Sequence, residues 1–225
     1  MIYLYGMKKE KTEEKRQLIV TEASKCFSQF GFEKTTLDDI GKSANLNKAT
    51  LYYYFKNKEE IFMEVVLQES TRFITELQAK TVLITGFEDK ICSYLIERLR
   101  FYKQVVNLHQ LSIVLLRQIQ PIFDELYNNL LQTEIQFIKQ ILEVAAAANQ
   151  ISFSPDLQQN LQQNPQQNPQ QNLQEIAESI ISVANSLKHE AVLQSKTQFA
   201  HHIDYSSIEQ KTIFITQLIL NGLKK

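Results

Sequence analysis

Chain breakers are scarce in this sequence. Five glycines and four prolines are spread over 225 residues. That shortage favours long helices, and the apolar runs lack the sustained alternation of strands. Cysteine is scarcer still. Cys26 and Cys92 are too few and too far apart for a structural zinc cluster. The expectation is a reduced, disulfide-free chain. No apolar run approaches a membrane span. Residues 1–7, MIYLYGM, are too short for a span or a signal peptide. They read as a floppy leader, or as residues preceding a true start at Met7. A cytoplasmic protein is expected.

The signatures of catalysis are missing too. Local spacing assembles no Ser/His/Asp or Cys/His arrangement, no glycine-rich phosphate loop and no HExxH helix. His201 and His202 are adjacent, so on a helix they would diverge by about 100°. With Asp204 they read as an exposed loop rather than a metal site. Neither an enzyme nor a cofactor or metal is expected. A strong charge of one sign is also absent, the net charge being -1. Residues 1–60 carry 11 Lys+Arg against 9 Asp+Glu, and the remainder 13 against 16. That weak asymmetry permits a nucleic-acid-facing end without establishing one.

Helical patterns fill the chain, so the expected fold class is all-α. Residues 10–30 place Ile19, Ala23, Phe27 and Phe30 at helical spacing, with Leu18 and Cys26 in support. Glu10, Glu13 and Glu14 would sit in the first turn, and Gly31 would end the helix. Thr36 and Asp39 form a capping-box pattern before a short helix with Leu37, Ile40 and Ala44 on its buried stripe. Asn45 suits a left-handed turn. Asn47 caps a third helix over about 48–54, and Asn57 caps a long fourth helix to about 79. Further helices are expected at about 88–105, His109–Gln120, 122–149, 173–199 and 205–222, with a stop at Pro121. The tract from Leu157 to Gln174, LQQNLQQNPQQNPQQNLQ, reads as a solvated loop spanning 155–172.

The most telling stretch is residues 31–58, GFEKTTLDDIGKSANLNKATLYYYFKNK. Two short helices joined by a tight turn carry hydroxyls, aromatics and lysines on the second. That layout suits a helix entering the major groove of DNA. Asn47, Lys48 and Thr50 occupy its N-terminal turn, within reach of phosphate or base edges. Tyr52, Tyr53 and Tyr54 follow about 100° apart, so they cannot face one way. Tyr53 is the groove-facing candidate, Tyr54 a phosphate contact, and Tyr52 serves either role. Lys58 would pin phosphate. Thr36 and Ser43 flank the same surface, and Lys42 is expected to add phosphate attraction. Blander readings stand beside each. Thr36 and Asn47 are explained by capping, the tyrosines by packing, and single lysines by solubility.

These residues carry a resemblance. Ala23, Phe27, Gly31, Phe32, Thr35, Thr36, Ile40, Ala44, the run Lys48 to Phe55, Lys58 and Glu59 make the chain similar to the TetR family of bacterial transcriptional regulators. The resemblance implies an N-terminal three-helix helix-turn-helix DNA-binding domain, placed at 8–56. A helical ligand-binding and dimerisation domain would follow at 57–225. It further implies a homodimer through the last two helices, a palindromic double-stranded operator, repression, and release by a small apolar or aromatic effector. Cys92, Tyr94, Tyr102, His109, Phe123 and Tyr127 lie on helices expected to enclose that effector. The chain departs from the family pattern at Asn45, where glycine is common, and at Lys48, where serine or glycine is frequent. A helical homodimeric protein-interaction module without sequence-specific DNA binding is the alternative.

Overall fold

The structure is a computed structural model and describes residues 2–151 and 169–223. Its regular elements are helical. They are α1 (Ile2–Phe30), α2 (Leu37–Ser43), α3 (Lys48–Tyr54), α4 (Lys58–Thr81), α5 (Phe87–Leu108), α6 (Ile113–Ala147), α7 (Pro169–Gln194) and α8 (Tyr205–Asn221). A 3-10 turn at Ala200–His202 precedes α8. The all-α expectation holds.

Local chemistry explains most of the boundaries. Gly31 ends α1 at φ 81°, a conformation that costs a residue with a Cβ dearly. Thr36 caps α2 with a complete capping box shared with Asp39. The α2–α3 turn pivots on Asn45 at φ 54°, where a short polar side chain tolerates the left-handed region. Asn47 caps α3 through the Thr50 amide at 2.8 Å, and Asn57 caps α4 through the Glu60 amide at 2.8 Å.

Several expectations fail. The N-terminal residues are helical from Ile2, where the sequence suggests a floppy stretch, and the first turn of α1 holds no acid. Residues 2–10 contain no proline, and their lysines and glutamate are good helix formers. Within α1, Ile19, Ala23, Cys26 and Phe27 are buried, whereas Leu18 and Phe30 are exposed. Pro121 does not separate two helices but lies inside α6. An interior proline costs about 3 kcal/mol. Leu115, Leu116 and Ile119 before it and Leu130 and Ile135 after it are buried. A few such side chains, at roughly 1.5–3 kcal/mol each, offset that cost. Finally, Pro169 opens α7 rather than lying in a loop, the N-terminal position where a missing N–H is harmless. The rest of the expected Gln/Asn loop, 155–168, falls outside the described residues.

By its internal contacts the chain forms two units. One comprises Met1–Thr71, Gln104–Phe123 and Thr197–His202. Its centre is aromatic, with Phe27, Phe32 and Phe62 packed at centroid distances of 4.8–5.5 Å. His109 closes that cluster edge-on to Phe62 at 5.2 Å, and its carbonyl accepts from the Phe32 amide at 2.9 Å. The late segment joins through backbone pairing. The Ile113 amide donates to the Gln198 carbonyl at 3.0 Å, and the Ala200 amide to Leu111 at 3.2 Å.

The other unit comprises Arg72–Lys103, Asp124–Lys196 and Ile203–Lys225. Ile91, Tyr94, Ile138, Leu142, Ala177 and Ile180 form the centre of its core, each almost fully buried. A smaller cluster gathers Leu99, Tyr205 and Ile208, with Tyr102 and Leu187 against it.

Candidate nucleic-acid interface

The seven residues of α3 divide by helical geometry. Leu51 is buried and fixes which side faces the core. At about 100° per residue, Ala49 and Tyr53 point most directly away from it. Lys48 and Tyr52 fall on one flank, Thr50 and Tyr54 on the other. Exposure follows the same order, with Tyr53 at 73% and Tyr52 at 52%. Tyr54 is half-buried and meets the Tyr53 ring edge-on at 5.0 Å. A phenol this exposed contributes little to folding, since its apolar surface stays in water. Ala49 beneath it adds no bulk, so the helix backbone can approach a partner closely.

The flanking groups are arranged by short-range hydrogen bonds. The Thr36 hydroxyl donates to the Asp39 carboxylate at 2.6 Å and accepts from the Asp39 amide at 3.2 Å. The same hydroxyl and amide of Thr36 hold the Asp39 carboxyl below the ordinary aspartate range. Thr50 donates its hydroxyl to Asn47 at 2.9 Å. Ser43 donates to Glu22 of α1 at 2.7 Å. Lys25 and then Ser43 keep the Glu22 carboxyl below its usual range. Lys42 is exposed on the last turn of α2. Lys48 faces Asp38 of α2 at 3.7 Å, both side chains more than half exposed. An exposed pair of this length contributes roughly 0–1 kcal/mol, so the ammonium remains available to a stronger anion.

Lys58 is used differently from the other expected contacts. Its ammonium donates to the carbonyls of Phe32 at 2.8 Å and Thr35 at 2.9 Å. It also lies 4.3 Å from the centre of the Phe32 ring. Partial burial pulls its pKa below the ordinary lysine value, against the opposing pull of Glu59 and Glu33. A phosphate would therefore meet this lysine already bound to the loop before α2.

Sequence reasoning missed Arg16. Its guanidinium donates to the Tyr54 carbonyl at 3.0 Å and to Glu64 at 2.9 Å, and lies 4.2 Å over the Phe55 ring. It thus ties the end of α3 to α1 and α4. A single arginine on an amphipathic helix gives no local signal of that role. Asp38 was passed over for the same reason.

The six expected effector contacts do not form one group. Tyr94 and Tyr127 converge on Glu134, each donating its hydroxyl at 3.0 Å. Glu134 is fully buried and also accepts two bonds from Arg98, at 2.5 and 3.0 Å. Arg98 reaches on to Asn185 at 2.9 Å. Burial raises both phenol pKa values, and would lower that of Arg98 were it not for the Glu134 charge, which raises it. Tyr102 belongs to the smaller cluster with Tyr205, at 6.3 Å between rings. His109 is fully buried against Phe27 and Phe62, with Nε2 3.4 Å from Glu69. Cys92 is half-buried, and burial raises its thiol pKa. Phe123 is half-buried in the same unit as His109. Among the described residues, no His/Cys/Asp/Glu group is arranged to hold a metal. No described helix is long and apolar enough to cross a membrane.

A short helix cap, a left-handed turn and a second helix with an outward aromatic face define a helix-turn-helix protein. Comparison narrows the class. Residues 19–65 match the family model described as bacterial regulatory proteins, tetR family. The chain is 42% identical over 67 residues to an uncharacterized HTH-type transcriptional regulator, YhgD, of Bacillus subtilis. That stretch is 30% of this chain and 33% of the relative. It is 52% identical over 48 residues to IcaR of Staphylococcus epidermidis, a biofilm operon negative transcriptional regulator, covering 21% and 26% of the two chains. These matches therefore span a third or less of the relatives' own lengths. A transcriptional regulator from Cytophaga hutchinsonii shares the fold with a TM-score of 0.67 at 18% identity, over 93% of this chain and 98% of that one. Residues 19–65 are thus similar to the tetR family of bacterial regulatory proteins, and over the rest of the chain the likeness is one of fold.

Proposed function

We propose that the protein is a transcriptional repressor that binds a palindromic operator as a homodimer and is released by a small apolar or aromatic effector. The observation that carries this reading is the outward face of α3, where Tyr53 is 73% exposed above Ala49. Tyr53 enters the major groove. Lys48, Thr50, Tyr52 and Tyr54 reach base edges, sugars and phosphates on either side of it. Thr36 and Asn47 act from the N-terminal ends of α2 and α3, where N–H groups favour phosphate, and Ser43 acts through its hydroxyl from the last turn of α2. Lys58 contributes by fixing the loop before α2, with any phosphate contact secondary. The likeness to IcaR, a negative regulator, supports repression.

Dimerisation is supported by the last two helices. Phe214 and Leu218 stand one turn apart on α8 and are 63% and 57% exposed, and Leu193 on α7 is 53% exposed. A twofold axis would let two such pairs form a four-helix interface. Release would act through α4, whose 24 residues contribute to both units. A tilt of α4 alters the spacing of two recognition helices, and half-sites one helical turn apart tolerate little change.

Selection from a random DNA pool tests the reading. A palindromic product bound by the dimer is expected. Tyr53→Ala with Lys48→Ala should abolish its binding while the dimer persists. Unchanged DNA affinity in that double variant would instead favour a helical protein-interaction module.

A further inference from the structure

A cleft of about 360 Å³ opens in the second unit, between the turn after α4, the first turns of α5 and the last turns of α6. Its volume lies in the range of small-molecule sites. Phe137 and Ile141 form a buried floor, while Val82 and Val144 are exposed at the rim. Phe87 adds a half-buried aromatic wall. Lys90 is the one charged side chain among the described lining residues. It makes no ion pair among the described residues, in contrast to Lys25, Lys48 and Lys139. None of the six tyrosine, histidine, cysteine and phenylalanine positions read as effector contacts lines it.

We propose that this cleft is the effector site and that it takes a small amphipathic anion, an apolar chain or ring ending in one carboxylate. The apolar floor removes the tail from water, at roughly 0.8 kcal/mol per buried methylene. Lys90 supplies a charge-assisted hydrogen bond to the head group. A cationic ligand would place its charge against Lys90, with no carboxylate in the described lining to receive it. A neutral ligand would gain the walls and the amides of Gln140 and Gln150 but no charge-assisted bond. The effector role rests on the repressor reading above, whereas binding in the cleft does not.

Calorimetric titration of the full-length protein, without DNA, separates the two. Octanoate, octan-1-ol and octylamine serve as probes of equal chain length. Octanoate should bind one per chain, about tenfold or more tighter than octylamine. Lys90→Gln should weaken octanoate about tenfold and leave octan-1-ol unchanged, and Val144→Trp, at an exposed rim position, should weaken both. Equal binding of the three probes, or octanoate binding indifferent to Lys90→Gln, overturns the site. Octanoate should also lower operator affinity, and less so in Lys90→Gln. Binding in the cleft with operator affinity unmoved overturns the effector role. A chain that binds octanoate as expected but no DNA sequence leaves the anion site standing and sinks the repressor reading.

Discussion

Tyrosine is used in opposite ways in the two units. Tyr53 turns its ring to solvent, whereas Tyr94 is fully buried and donates to Glu134. The buried ring is explained by folding, through the area it removes from water and the hydrogen bond that satisfies its hydroxyl. The exposed ring has no such account, and the proposed function assigns it to a partner. The same contrast divides the charges. Lys48 and Asp38 meet loosely in water, while Arg98 and Glu134 meet out of water, among the polar tips of Tyr94, Tyr127 and Asn185. A residue type therefore says little about role until its solvent is known.

The largest effect should come from the buried side of this contrast. Glu134→Ala leaves the Arg98 guanidinium buried without its partner, and should destabilise the protein by about 3–5 kcal/mol in denaturant melts. Replacing both partners, Arg98→Met with Glu134→Leu, should recover only part of that loss, because the Tyr94 and Tyr127 hydroxyls then lack their acceptor. If the single variant melts like the parent, the network does not hold the second unit together.

On the exposed side, Tyr53→Ala should reduce operator affinity by about 1–3 kcal/mol in a binding titration, with the melting temperature within error of the parent. A matching loss of stability would erase the distinction drawn between the two tyrosines. Lys58→Met belongs between them. Loss of its charged bonds to the Phe32 and Thr35 carbonyls should lower stability by about 1–3 kcal/mol. It should affect DNA binding mainly through that loss. A variant that keeps its stability and loses DNA affinity would return Lys58 to the phosphate contacts.

Asp38→Asn should act more gently. Freed from its acid neighbour, Lys48 meets phosphate more readily, so affinity should rise by less than about 1 kcal/mol on any DNA. The slope of log affinity against log salt should steepen by up to about one. A fall in affinity confined to one base position would show Asp38 reading a base instead.

The smallest effect concerns acid. Glu22 and Asp39 both have native pKa values below their ordinary values of 4.5 and 3.8. The unfolded chain therefore binds more protons than the native one in that range. The associated stability is fully present above those ordinary values and is lost as pH falls through the lowered native ones. Glu22→Gln with Asp39→Asn should flatten the acid side of a stability–pH curve.

What could be read in advance was what neighbours in sequence decide. The caps at Thr36, Asn47 and Asn57 and the left-handed turn at Asn45 depend on residues three or four apart. Pro121 was misjudged because packing on both sides outweighs a local rule. Lys58 and Arg16 were illegible in their actual roles for a different reason. Their partners lie 23–26 and 38–48 residues away, and no periodicity encodes such distances. Glu134 left only a faint trace, a carboxylate set among Leu130, Ile135 and Phe137. The candidate interface was legible as a list of side chains on α3, since helix phase follows from Leu51 alone. The restraint of that helix by Arg16 was not.

The pairing of residues 111–113 with 198–200 also governs when the first unit can be finished. Its aromatic centre needs His109, and its last backbone partners are made some 130 residues after α4 leaves that unit. During synthesis, at about 5–20 residues per second, that interval is on the order of ten seconds. The segment that emerges first from the ribosome is thus among the last to be completed. A nascent chain stalled before residue 197 would present α3 on an unfinished support.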